Sequence, residues 1–328
     1  MTNDVDISED DILRLHPAVL EQLLRDHTTG RNIFWATPSY AHLGEGFAYG
    51  DPITPDHITG RYGRVIQPRA VKSAAEQTRR SKDMAEVFTP SWVCNAQNNL
   101  VDEAWFGRAG VFNTEHPDTR TWIPTPAPIA FPEGRTWRDY VREPRLEMAC
   151  GEAPYLVSRY DTVTGQPISD LAHRIGLLDR KLRIVSENTS TSGEWLKAAK
   201  EALQATYGFE WQGDNLLLAR EAVLFTFCDY YEDKFHRPVP ERSLPGVAYV
   251  VSWNLWQMDG LRLVVPCSCD NVFEENLLGE RTRVQCQACR KGLAYGHIGT
   301  RCRIRDWRYT GKNPDRQRPY FEIVNKPR

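Results

Sequence analysis

No stretch of the 328-residue chain approaches the eighteen or so consecutive apolar residues of a membrane-spanning helix, and no basic segment followed by an apolar core opens it. Membrane insertion and export are therefore not expected, and the clustered, metal-like spacing of the cysteines predicts a reducing, cytoplasmic setting. Excess charge of either sign is missing as well: 41 Lys and Arg stand against 43 Asp and Glu, for a net charge of -2. That balance argues against a uniformly basic nucleic-acid binder and leaves local patches to consider. Internal repeats and low-complexity tracts are also absent, which sets aside solenoids and fibres. What the chain does have is 41% apolar residues and ten tryptophans, enough for one large domain with appendages or two modest domains.

Charge and pattern vary along the chain. Residues 1–11 are acidic, whereas Arg61 to Lys82 and Arg281 to Arg328 are basic. In the second basic stretch Arg301, Arg303, Arg305, Arg308, Lys312, Arg316 and Arg318 interleave with Trp307, Tyr309 and Tyr320. Such a mixture suits phosphate contacts and base stacking, and equally a solvated tail. Apolar residues between Asp10 and Asp26 recur at near-helical spacing and predict one amphipathic helix. Residues 31–80 read as loops and short strands, and 113–135 as a proline-rich connection or flap. Glu194 to Thr206 and Asp214 to Phe235 predict helices flanking a strand.

Three strand-like segments end in acidic residues. Residues 145–156 run through Glu147 into a small-residue turn at Ala149, Gly151 and Ala153, which lets backbone come close to a ligand. The segment from Tyr207 closes on Glu210, placed to accept ribose hydroxyls, and the β-rich stretch from Val250 closes on Asp259. Cysteines supply a second signal. Cys267 and Cys269, then Cys286 and Cys289, then Cys302 offer enough thiolates for a tetrahedral zinc site, with which four of the five left open and His297 a possible substitute.

The acidic segments resemble the cofactor motifs of S-adenosylmethionine-dependent DNA methyltransferases of bacterial restriction-modification systems, the adenine-N6 group in particular. Ala149-Cys150-Gly151 matches the first motif, with Glu147 in the place of its Asp, Ala153 where a second Gly belongs and Tyr155-Leu156 where Phe-Leu belong. Tyr207 to Arg220 is similar to the second motif, and Asn254 to Leu261 to the third. Phe88-Thr89-Pro90 resembles the Phe-Thr-Pro segment that touches the methionine end of the cofactor in many members. The resemblance covers residues 85 to about 262. It implies a class I methyltransferase-like, Rossmann-like α/β sheet with helices on both faces over residues 84–265. Residues 1–83 would then form an N-terminal helical and loop extension, and 266–328 a Cys-rich, basic module. It further implies S-adenosyl-L-methionine held by Phe88, Thr89, Pro90, Glu147, Ala149, Gly151, Glu210 and Asp259, DNA as the partner, and methylation of a base, adenine N6 first.

Two departures accompany the resemblance. About 60 residues separate Glu147 from Glu210, where a simple nucleotide-binding unit uses about 20, so residues 161–192 are expected to be an insertion facing the substrate. The catalytic tetrapeptide, Asn or Asp followed by Pro-Pro and an aromatic, is absent, and no catalytic residue is named. Two alternatives follow: a non-catalytic cofactor-binding or specificity subunit completed by a restriction-system partner, or cytosine-C5 chemistry through the Val265-Pro266-Cys267 thiol.

Overall fold

The computed structural model describes residues 5–276, 279–308 and 317–324, so Tyr309, Lys312 and Arg316 lie outside the described residues. A serine N-cap starts the first helix: Ser8 accepts from the Asp11 N–H to open α1 (Glu9–Leu15). Pro17 then starts α2 (Pro17–Leu24), so the single helix expected over Asp10 to Asp26 is two, broken at His16. Proline cannot donate the N–H that would have continued the first helix, but it fits a first turn.

Residues 31–71 form 3-10 turns and isolated bridges rather than strands, and α3 (Ala74–Met84) and α4 (Ser91–Phe106) follow. The proline-rich connection contains a hairpin, β1 (Asn113–His116) and β2 (Thr121–Pro124), and precedes α5 (Trp137–Val141). Next come β3 (Arg145–Met148), α6 (Leu177–Asn188), α7 (Ser192–Gln204), β4 (Thr206–Glu210), α8 (Gly213–Phe235), α9 (Leu244–Asn254) and β5 (Leu255–Gln257). Two small hairpins, β6 (Phe273–Glu275) with β7 (Arg281–Arg283) and β8 (Arg303–Arg305) with β9 (Gln317–Pro319), bracket α10 (Gln287–Arg290). Helix α11 (Tyr320–Val324) follows β9.

The central sheet is small. Strands β3, β4 and β5 pair in that order, both pairs parallel, with Glu147 opposite Gly208 and Glu210 opposite Gln257. The expected Rossmann-like sheet with helices on both faces is therefore represented by three strands among the described residues. Phe209 and Trp256 share one face, which the C-terminal segment covers through Val265, Cys302, Ile304 and Tyr320. Leu255 belongs instead to the main core, which runs from Ile12 through α6–α9 and so takes in the N-terminal extension.

The second half of the expected insertion packs into the core. Leu178, Leu182, Ile184 and Val185 give α6 an apolar face that is fully buried, while the loop of residues 161–174 before it, and Asn188, Ser190 and Thr191 at its far end, reach the surface. Lys181 on the same helix is buried and donates to the Glu143 and Ala205 carbonyls, just ahead of β3 and β4, at 2.6 and 2.9 Å. Burial pulls its ammonium well below the usual lysine range. The stretch from Val250 to Asn254, read as β-rich from its β-branched and aromatic residues, closes α9, and only Leu255 to Gln257 is strand.

Helix α8 runs through the middle and carries charges inside the core. Arg220 donates to the carbonyls of Leu23, Arg25, Ser252 and Leu255 at 2.5 to 3.1 Å, joining the end of α2, the end of α9 and the start of β5. Burial lowers its guanidinium to about 10, so it stays protonated at neutral pH. Replacing Arg220 by Leu leaves these carbonyls without their donor and should cost ~3 kcal/mol or more, read as a lower urea midpoint.

The next residue, Glu221, is fully buried with neither carboxylate oxygen hydrogen-bonded among the described residues, and Glu9 of α1 adds a like charge. Burial first, then this repulsion, pushes Glu221 well above the carboxylate range, and burial raises Glu9 to about 8. A raised carboxyl pKa means that the folded state holds protons the unfolded chain has released. The stabilisation is complete below about pH 4.5 and is lost as pH rises through about 8. Thermal melts of the wild type minus those of Glu221→Gln should therefore decline over this window, at no more than ~1.4 kcal/mol per pH unit for each group. A difference independent of pH would refute the raised carboxyl pKa values.

Candidate functional site

The carboxyl ends of β3 and β4 open into a cavity of about 860 Å³. Its floor is the turn after β3, where Ala149, Gly151 and Ala153 all take left-handed conformations, with φ of 50°, 54° and 62°. For the two alanines that conformation costs ~1 kcal/mol each, so tertiary contacts must hold it. They are visible. The Cys150 N–H donates to the Phe209 carbonyl at 2.8 Å, and the Gly151 N–H donates to Glu210 Oε2 at 2.8 Å. A side chain on Gly208 would meet Cys150 Sγ at 3.2 Å, so the strand under the turn is kept bare.

Two carboxylates sit in this floor. Glu210 also accepts from the Gln212 N–H at 3.2 Å, while Glu147 accepts from the Tyr155 and Leu156 N–H groups at 3.4 and 3.2 Å. Burial raises the pKa of both, Glu147 well above its ordinary range, and the main-chain donors only partly oppose it. Each carboxyl therefore favours a partner that brings positive charge or a hydroxyl donor.

Segments distant in sequence complete the walls. The Phe88 ring packs so closely that a Cβ on Gly151 would lie 3.3 Å from it, and Thr89 lines the cavity beside it. Pro90 does not line it but caps α4, and its neighbour Ser91 donates its N–H to Asp161 at 2.7 Å. Asp259 is also outside the lining. Its Oδ1 accepts from the Leu261 and Arg262 N–H groups at 3.0 Å each, which shapes the turn that brings Leu261 to the cavity.

Tyr49, Lys82 and Trp211 are further wall residues that sequence reasoning missed: Tyr49 falls in a stretch read as loops, Lys82 in one read only as basic, and Trp211 directly follows Glu210. Beneath them lies a buried ionic network. Arg80 bonds Asp214 at 2.8 Å and Glu86 at 2.7 Å, and the Tyr40 hydroxyl donates to Asp214 at 2.8 Å. Burial alone would raise the Asp214 carboxyl, but the positive charges of Arg80 and Lys72 outweigh it and hold it below the usual range. This network ties α3 and the N-terminal segment to the start of α8. Nothing in residue spacing signals it.

The second site is in the C-terminal module. Cys269, Cys286, Cys289 and His297 bring their ligand atoms within 4.8 Å of one another. The thiols lie 3.8, 3.6 and 3.3 Å from His297 Nδ1, against ~3.6 Å for a sulfur–nitrogen edge of a tetrahedral zinc shell. His297 Nε2 faces the Leu293 carbonyl at 2.8 Å. A carbonyl only accepts, so the proton belongs on Nε2 and the Nδ1 lone pair points at the sulfurs. Four protein ligands fill a tetrahedral shell, the structural type of zinc site. Gly299 allows the approach, since a side chain there would meet the Cys269 N–H group's nitrogen at 2.8 Å.

Cys267 and Cys302, both proposed as ligands from spacing, are elsewhere. Cys302 is buried in the apolar cluster against β5, with Sγ 3.4 Å from the Gln257 carbonyl. Cys267 lines a separate cavity of about 720 Å³, its Sγ 3.7 Å from the Tyr49 hydroxyl. His297, the possible substitute, takes the fourth place.

Comparison with protein-family models, curated proteins and solved structures finds no match.

Purified under reducing conditions, the chain should carry close to one equivalent of zinc. Metal should fall in Cys269→Ser, Cys286→Ser, Cys289→Ser and His297→Ala and be retained in Cys267→Ser and Cys302→Ser, as read by elemental analysis. Chelation should loosen the β6–β7 region first in hydrogen exchange, because metal affinity and local folding are one equilibrium. Zinc lost on replacing Cys267 but kept on replacing His297 would reassign the centre.

Proposed function

We propose that the large cavity binds S-adenosyl-L-methionine and that the chain serves methylation of a base in DNA, adenine N6 first. The observation that carries this reading is the pair of buried carboxylates, Glu147 and Glu210, at adjacent parallel strand ends above a left-handed turn. In open α/β sheets ligands bind outside the carboxyl ends of the strands. The donor is a cation with an ammonium, a sulfonium and ribose hydroxyls, which is the partner these carboxyls favour. Glu210 would take ribose hydroxyls, Glu147 and Gly151 would frame the amino-acid end, and Phe88 and Thr89 would close over the methionine. The cofactor supplies an activated methyl group; the protein's part is to align it, exclude water and hold the acceptor.

A second reading has its own support. Strand β3 ends the sheet among the described residues, and Leu146 and Met148 stay 41% and 71% exposed, on the face that the C-terminal segment covers over β4 and β5. With no Pro-Pro-aromatic tetrapeptide in the chain, a partner subunit docking at that edge would supply the missing reaction residues.

Calorimetry should detect cofactor binding by the full chain, weakened by roughly 1 to 3 kcal/mol in Glu210→Ala, the scale for losing a charged hydrogen-bond acceptor. Asp259→Ala should weaken it less, since that carboxylate faces its own turn. Full affinity in both Glu210→Ala and Glu147→Gln would sink the pocket assignment. Labelled methyl transfer to DNA by the chain alone, followed by nucleoside analysis, separates the enzyme from the subunit that needs a partner.

A further inference from the structure

We infer that a second cavity, beside Trp92, receives a single nucleobase; this names the acceptor side of the methyl-transfer reading and rests on it for its role, though not for its binding. The cavity has a volume of about 450 Å³ and is walled by Trp92, Trp122, Arg120 and the loop through Asp161, Gln166 and His173. It was absorbed by none of the cofactor or metal assignments.

Its walls are held in place. The Asp161 carboxylate accepts the Ser91 N–H at 2.7 Å and the Val163 and Thr164 N–H groups at 3.0 and 2.8 Å, fastening the loop to the first turn of α4. Trp122 Nε1 donates to the His173 carbonyl at 2.9 Å, and Asp170 bonds His173 Nδ1 at 2.8 Å. Those carboxylates are committed to the loop. Trp92, in contrast, is 37% exposed, with the Arg120 guanidinium 5.1 Å from its ring centre. The side-chain amide of Gln166 makes no hydrogen bond among the described residues.

These groups match what a base offers. An indole face stacks on any base, an arginine beside it meets phosphate or adds cation–π attraction, and a free amide presents donor and acceptor together to a base edge. Position adds to chemistry. Thr89 lines the first cavity and Ser91 the second, so at most ~7 Å of chain separates the two walls. Thr162 and Asp161 brace that divider from one loop, through the Thr89 carbonyl and the Ser91 N–H. A base seated against Trp92 is thus a neighbour of whatever occupies the cavity at Phe88 and Thr89.

The test is a tryptophan-fluorescence titration of the full chain with adenosine 5′-monophosphate, a short single-stranded oligodeoxynucleotide, and ribose 5-phosphate as the base-free control. Quenching by the base-bearing probes and not by the control is expected. Affinity should fall roughly 5- to 100-fold in Trp92→Ala and recover in Trp92→Phe, which keeps a stacking face. Binding of the monophosphate alone identifies a free nucleotide as the source, and tighter binding of the oligonucleotide identifies a strand; both support the site. Because Trp92 is outside the first cavity, calorimetric affinity for S-adenosyl-L-methionine should be unchanged in Trp92→Ala, so failure of the cofactor reading is scored separately. Equal response to ribose 5-phosphate, or unaltered nucleobase affinity in Trp92→Ala, would overturn the proposal.

Discussion

A single guanidinium, that of Arg220, is what lets three chain ends meet inside an apolar core. Helix termini leave carbonyls without intrahelical donors, and burying them unpaired is expensive. Here α2 and α9 both finish against α8, and β5 begins there, so their loose carbonyls converge on one point. One cation with a planar fork of donors answers them together. The placement of β5 depends on that junction, β4 pairs with β5, and the cavity lies at the end of β4 beside β3.

The same helix supplies charge at its other end. Asp214 draws Arg80 and Tyr40 onto the first turn of α8, which fixes α3 and the N-terminal segment as walls. The N-terminal extension is therefore part of the cavity rather than an appendage to it. Its helix α2 packs into the same core as α8 and α9. Division of labour follows: the ionic groups set where elements end, and the apolar residues set how tightly they pack.

How much of this was legible depends on the kind of signal. Helices α7 and α8 were found almost to the residue because strong helix formers and long periodicity agree, and Glu210 closes β4 where the acidic strand end was expected. Helix α6 was missed because polar runs at both ends masked twelve residues with an apolar face. The end of α9 was misjudged because Val and Trp favour strands only when packing agrees. For the metal centre, spacing offered five cysteines with His297 as a possible substitute, and the cluster takes Cys269, Cys286, Cys289 and that histidine, because spacing alone does not tell which ligands converge in space. The resemblance to the methyltransferase motifs, not spacing, grouped Phe88, Thr89, Glu147, Gly151 and Glu210, and these do share a cavity; Asp259 shows that an acidic strand end can equally serve its own turn.

Lys181 also bears on how the sheet assembles. Strands β3 and β4 are separated by residues 149–205, so their pairing closes a long loop before any ladder bond can repay the entropy. The ammonium of Lys181 lies partway along that loop and touches the chain just ahead of both strands. Docking α6 thus divides one long closure into two shorter ones and brings the strand starts together in the same step. The parallel pair then rests on two closures, of 38 and 24 residues, anchored by a helix that is not part of the sheet.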